Sequence, residues 1–157
     1  MRNMSWLWRL PLLAASLVAC TAEVPVPKNA SCLVTAPNGD VPPGSPSAPN
    51  GYGNGQLWTW LWSNGAVVFE SGGPGEIHPD GSLEMKWPWH RGLSGRLQIT
   101  GKRLDQRAPS LRATVSDSYG DIGFQPTTLI FPTPGCWEVT GQVGATQLTF
   151  VTQVVRK

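Results

Sequence analysis

Apolar and polar side chains alternate with a period of two along much of the chain. Over residues 83–90, Leu83, Met85, Trp87 and Trp89 fall on one side and Glu84, Lys86 and His90 on the other. Residues 96–102 repeat this, with Leu97 and Ile99 set against Arg96, Gln98, Thr100 and Lys102, and Leu111, Ala113 and Val115 alternate with Arg112, Thr114 and Ser116. Successive strand side chains point to opposite faces, so each stretch predicts a half-buried strand. Further β-prone runs lie at 31–35, 57–62, 66–70, 127–131, 136–141 and 147–155, the last two joined by a turn at 142–145. Ser63-Asn64-Gly65 between 57–62 and 66–70 predicts a tight hairpin, because Asn-Gly tolerates the left-handed backbone such turns need. No stretch after residue 30 keeps a helical period, and seven to nine short strands predict a single antiparallel β-sandwich or barrel.

Composition sharpens this picture. The 157 residues include 18 Gly and 15 Pro, which disfavours a helical bundle. Five of each crowd into residues 36–55, a segment with little to bury that predicts a long loop or spacer.

The N-terminus carries a different signal. Residues 1–9 hold Arg2 and Arg9 and no acid, and the apolar run at 10–19 is too short to cross a membrane, so residues 1–19 are expected to be a secretory signal peptide. Leu17-Val18-Ala19-Cys20 resembles the bacterial lipobox. That resemblance implies cleavage before Cys20 and lipid attachment to its thiol, with residues 20–30 as anchor and tether and the domain at 31–157. Cleavage after Ala22 is the alternative. The expected address is the cell envelope, with the chain held to a membrane by its N-terminal lipid.

With Cys20 lipidated, Cys32 and Cys136 remain as an even pair in an oxidising compartment. A bridge between them would close a 104-residue separation, contributing about 4.7 kcal/mol in the chain-entropy model. On the strand at 136–141, Trp137 and Val139 share one face and Cys136, Glu138 and Thr140 the other, so a bridge would sit outward or near the rim. A metal or redox role for these thiols is the alternative, although no Cys-x-x-Cys is present.

The C-terminal third resembles the last strands of immunoglobulin-like domains: Leu129-Ile130-Phe131, the corner Pro132-Thr133-Pro134-Gly135, then 136–141 and 148–155. Through residues 32–39 and 131–141 the chain is also similar to a family of uncharacterised bacterial secreted proteins and lipoproteins. These resemblances imply an immunoglobulin-like sandwich and support the domain limits and the two cysteines. They transfer no catalytic residue.

Loss of Arg2 and Arg9 with the leader brings twelve basic side chains to ten, against ten acidic ones. That neutrality gives no reason to expect nucleic acid. Candidate surfaces are therefore local. Trp58, Trp60 and Trp62 recur at every second residue of a run apolar on both faces, predicting either a doubly covered strand or an outward aromatic ledge, with Tyr52 in the neighbouring loop. Arg96, Lys102 and Arg112 occupy polar positions of adjacent strand candidates and are candidates for a shared basic face. His78 and His90, twelve residues apart in different segments, are the only histidines, and a zinc site would need more ligands than they provide; no phosphate-loop or nucleophile-elbow motif is present either, so neither a metal nor a cofactor is expected. The expectation is a non-enzymatic binding module for an envelope protein or polysaccharide; the alternative is an envelope hydrolase using His90 or His78 with a nearby carboxylate or serine.

Overall fold

The computed structural model describes residues 31–157. The expected leader at 1–19, the expected lipidation site Cys20, the alternative cleavage site at Ala22 and the expected tether to residue 30 lie outside the described residues. Ten strands follow in order: β1 (Gly51–Gly53), β2 (Leu57–Trp60), β3 (Ala66–Phe69), β4 (Glu76–Ile77), β5 (Leu83–Arg91), β6 (Gln98–Arg103), β7 (Arg112–Val115), β8 (Gly123–Phe131), β9 (Gly135–Val143) and β10 (Thr146–Arg156). They form two sheets. One runs β1-β2-β5-β8-β7 with β4 also paired to β5, and the other runs β3-β10-β9-β6. The expected all-β sandwich is therefore present.

Alternation built it. Leu83, Met85, Trp87 and Trp89 of β5 are buried, as are Trp137, Val139 and Val143 of β9 and Leu148, Phe150 and Val154 of β10. These rows meet between the sheets. The Trp87 ring stacks on Phe150 at 5.1 Å, Trp89 lies 6.0 Å from the same ring, and Phe131 meets Trp137 edge-on at 5.7 Å. The core holds three fully buried indoles only because the facing strand yields room: a Cβ on Gly141 of β9 would collide with the six-membered ring of Trp89. Trp87 Nε1 donates to Thr59 Oγ1 at 2.9 Å, and that hydroxyl donates to Pro88 O at 2.8 Å, so these two buried groups are paired, whereas Trp89 Nε1 is buried without a hydrogen-bond partner.

Three expectations about connections are corrected. Ser63-Asn64-Gly65 does take the left-handed backbone its sequence signals, with φ of 57° at Asn64 and 67° at Gly65, but it makes no hairpin. Strands β2 and β3 lie in different sheets: β2 pairs with β1 and β5, and β3 runs parallel to β10. Both hydrogen-bonding edges of β2 are taken, and Trp62 turns inward against Trp87, 6.4 Å between ring centres, carrying the chain across the sandwich.

Residues 31–35 form no strand. They lie against the edge of β10, where Thr35 N–H donates to Val151 O at 2.9 Å and Val151 N–H to Thr35 Oγ1 at 2.8 Å. Nor is 36–55 a plain spacer, because it contains β1 and is closed by Asn38. The Asn38 amide donates to Gly53 O at 2.8 Å and accepts from Gly53 N–H at 3.2 Å, while Asp40 Oδ2 accepts from Gly55 N–H at 3.0 Å.

The bridge between Cys32 and Cys136 is present, with 5.4 Å between their Cα atoms. Cys136, second residue of β9, points away from the core face that Trp137 occupies. The disulfide thus straps the N-terminal segment over the outside of the second sheet.

Candidate functional site

The three tryptophans near residue 60 do not make a ledge. Leu57 and Thr59 pair with Arg91 and Trp89 and face the core, which turns Trp58 and Trp60 to the outer face of the first sheet. Trp58 is nevertheless only 3% exposed. Its ring is flanked by Gly53 and Gly92, where an added Cβ would collide with it, and it meets His90 edge-on at 5.8 Å. Trp60 is half-buried opposite Gly51, and Trp62 packs inward. Tyr52 is likewise engaged in the fold, its hydroxyl donating to Thr149 O at 3.0 Å.

The basic face is also corrected. Arg112 belongs to β7 in the first sheet and Lys102 to β6 in the second, while Arg96 precedes β6. Each has its own partner: Arg96 pairs with Asp117 at 3.4 Å, Lys102 with Glu138 at 3.1 Å, and Arg112 reaches Ser82 Oγ at 3.5 Å and lies near Asp80. Alternating parity places residues on a face of their own strand but does not say which sheet the strand joins.

The histidines sit apart. His90 lies late in β5, beside Trp58; burial first, and the neighbouring Arg91 charge second, hold its imidazole below the ordinary 6.5. His78 stands at the opposite end, where the turn joins β4 to β5, and its Nε2 is 3.0 Å from Glu84 Oε2.

A different surface emerges at the start of β8, where burial is inverted. Gln125 and Thr127 face the core at 2% and 4% exposure, while Phe124 is 50% exposed. The buried polar groups are satisfied: Thr127 Oγ1 donates to Trp87 O at 2.8 Å, and Gln125 Nε2 donates to Ser116 O at 2.8 Å. That second bond holds the loop at 116–120 against the sheet. From the other side, the buried Arg91 guanidinium donates to Gly95 O and Gly120 O, each at 2.7 Å. A planar cation with several donors can hold two carbonyls at once.

The loop fixed by Gln125 and Arg91 carries Tyr119 on a short 3-10 turn, Asp117–Tyr119. Its ring meets Phe124 edge-on, 6.0 Å between centres and 72° between planes. Tyr119 is 45% exposed and Ile122 59%. Next to them a shallow depression of about 250 Å³ is lined by Lys86, Thr114, Tyr119, Pro126 and Thr128. Pro88 and Pro126, directly paired across β5 and β8, continue this outer face. Sequence reasoning missed Phe124 and Ile122. Their one signal is placement among Gly120, Gly123 and polar neighbours, where an apolar side chain has no core of its own to join.

Comparison with protein-family models, curated proteins and solved structures finds no match to this chain.

Proposed function

We propose that this chain is a lipid-anchored binding module of the bacterial cell envelope: an immunoglobulin-like sandwich, tethered through Cys20, that engages a protein partner with the outer face around Tyr119, Ile122 and Phe124. The inverted burial along β8 carries the reading, since the fold spends its buried positions on Gln125 and Thr127 and leaves the neighbouring aromatic residue to solvent. Large apolar groups grouped on a surface mark interaction sites, and Tyr and Phe are enriched at the centre of protein interfaces. The perpendicular setting of Tyr119 and Phe124 offers no flat platform for a sugar ring, which favours a protein over a polysaccharide. The immunoglobulin-like part of the proposal draws on strand order: β2-β5-β8-β7 facing β10-β9-β6 follows the A-B-E-D and G-F-C arrangement of such domains.

Site-specific photo-cross-linking in the intact envelope tests the partner. A cross-linker at Phe124 is expected to trap a discrete protein adduct that one at Gln98, on the other sheet, does not. Equal adducts from both positions, none from either, or retention by purified envelope polysaccharide with no protein adduct would overturn it. A Cys20→Ala chain that keeps the acyl mass would overturn the anchor.

A further inference from the structure

The turn at residues 78–81 is closed by Gly81 N–H donating to His78 O at 2.9 Å, and it folds β4 back on the start of β5. Glu76 then stands directly opposite Glu84, and His78 N–H bonds Ser82 O at 2.9 Å, one step nearer the turn. By the period of two, Glu76, His78 and Glu84 share one face of the hairpin. Like charges directly opposed on antiparallel strands repel. Here both carboxylates turn to the same imidazole: Glu84 Oε2 is 3.0 Å from His78 Nε2, and Glu76 Oε1 is 3.8 Å from His78 Nδ1.

We propose that Glu76, His78 and Glu84 form a binding site for a divalent transition-metal cation of the zinc class. One ring nitrogen and one oxygen from each carboxylate lie within 4.8 Å of one another. Ligands bound to one tetrahedral ion at 2.0–2.2 Å are about 3.3 Å apart. His78 Nε2 and Glu84 Oε2, 3.0 Å apart, need to separate by only a few tenths of an ångström to reach that spacing, and the Glu76 side chain, 69% exposed, has the freedom to close the remainder by rotation. The imidazole directs the choice toward zinc-like ions rather than magnesium or calcium, which take oxygen ligands. Two carboxylates and a neutral imidazole offset both units of the ion's charge, and the ion between them removes the Glu76–Glu84 repulsion. Three protein ligands leave a fourth position for water. Asp80 stays outside the set, because its Oδ1 already accepts from both the Ser82 hydroxyl and N–H, at 2.6 and 2.9 Å.

The test uses the whole chain, stripped of metal with a chelator and titrated with zinc chloride by calorimetry and thermal melting. About one zinc ion per chain is expected, with a raised melting temperature that magnesium chloride does not reproduce. His78→Gln and Glu84→Gln should each weaken zinc binding by at least the roughly tenfold that even outer-shell substitutions bring, with the metal-free melting temperatures nearly unchanged. Glu76→Gln, at an exposed position, gives the same readout should the other two variants fail to fold, and the His78 ring resonances should shift on zinc addition to the unaltered protein. Absence of binding, binding that persists unweakened in the variants, or His78 resonances indifferent to zinc would overturn the proposal and leave the cluster as a histidine-centred ion pair.

Discussion

The Tyr52 hydroxyl donates a 3.0 Å hydrogen bond to the carbonyl of Thr149, joining an edge strand of one sheet to the exposed flank of β10 in the other. β3 covers β10 only from Gln153 to Arg156. Upstream, alternate carbonyls of β10 accept from a succession of unrelated donors: Gln147 O from Asn54 Nδ2 at 2.8 Å, Thr149 O from Tyr52, and Val151 O from Thr35 N–H at 2.9 Å. An open strand edge is a template for pairing with another chain. The Thr35 backbone, and the Tyr52 and Asn54 side chains of the Pro/Gly-rich segment, occupy that edge where no strand pairs with it.

Tyr52→Phe should therefore lower stability by about 1 kcal/mol, the net worth of one hydrogen bond. It should also raise the dimer fraction at high concentration. Urea unfolding and sedimentation measure the two effects, and a variant matching the parent in both would mean the edge is sealed without Tyr52.

Gly141→Ala should overpack the core against Trp89 at a cost of roughly 1–3 kcal/mol. Trp89→Phe on the same chain should recover part of that loss, because the colliding atoms belong to the six-membered ring of the indole. A double-mutant cycle reads the coupling directly; purely additive effects would contradict the contact.

Replacing Arg91 with Lys should cost roughly 1.5–3 kcal/mol, since Gly95 O and Gly120 O are held by two different guanidinium nitrogens and a single ammonium nitrogen lacks that rigid fork. Faster amide exchange across residues 116–120 is the specific sign to look for. Unchanged exchange there would show that Gln125 alone holds the Tyr119 loop.

The imidazole of His90 is held below 6.5 in the folded chain by burial and by Arg91. The unfolded chain therefore takes up a proton first as pH falls, so stability is full above 6.5 and declines as pH drops from there toward the lowered value. His90→Gln should flatten that part of the stability profile, and NMR titration of the His90 ring should give a midpoint below 6.5. Asp105, lowered chiefly by its hydrogen bond from Arg103, acts in a more acid window: its contribution is present above 3.8 and is lost as pH falls through the lowered value. Asp105→Asn should blunt that loss.

How far each element was readable in the sequence follows from where its free energy lies. Strand β5 was plain because every second residue from Leu83 to Trp89 is large, apolar and buried. The sheet change between β2 and β3 was not, since Asn64-Gly65 specifies only local backbone angles while pairing was decided by which edges β1, β5 and β10 had already filled. The outward position of Cys136 was legible from parity with Trp137. Phe124 was hidden because its buried neighbours are polar, and hydrogen bonds from Gln125 and Thr127 to distant carbonyls carry no mark in a single sequence. The hairpin that gathers Glu76, His78 and Glu84 did have a local sign, Pro79-Asp80-Gly81, whose residues favour a tight turn.

The strap between Cys32 and Cys136 also sets the route that mechanical load takes through the molecule. Tension applied upstream of Cys32 and at Lys157 passes through the sulfur bond into β9, so only β9 and β10 bear it. The chain between the two cysteines, a sequence separation of 104, is withheld from extension. At 3.3–3.6 Å per residue that is roughly 350 Å of chain, released in a pulling experiment only after a reductant has cut the bond.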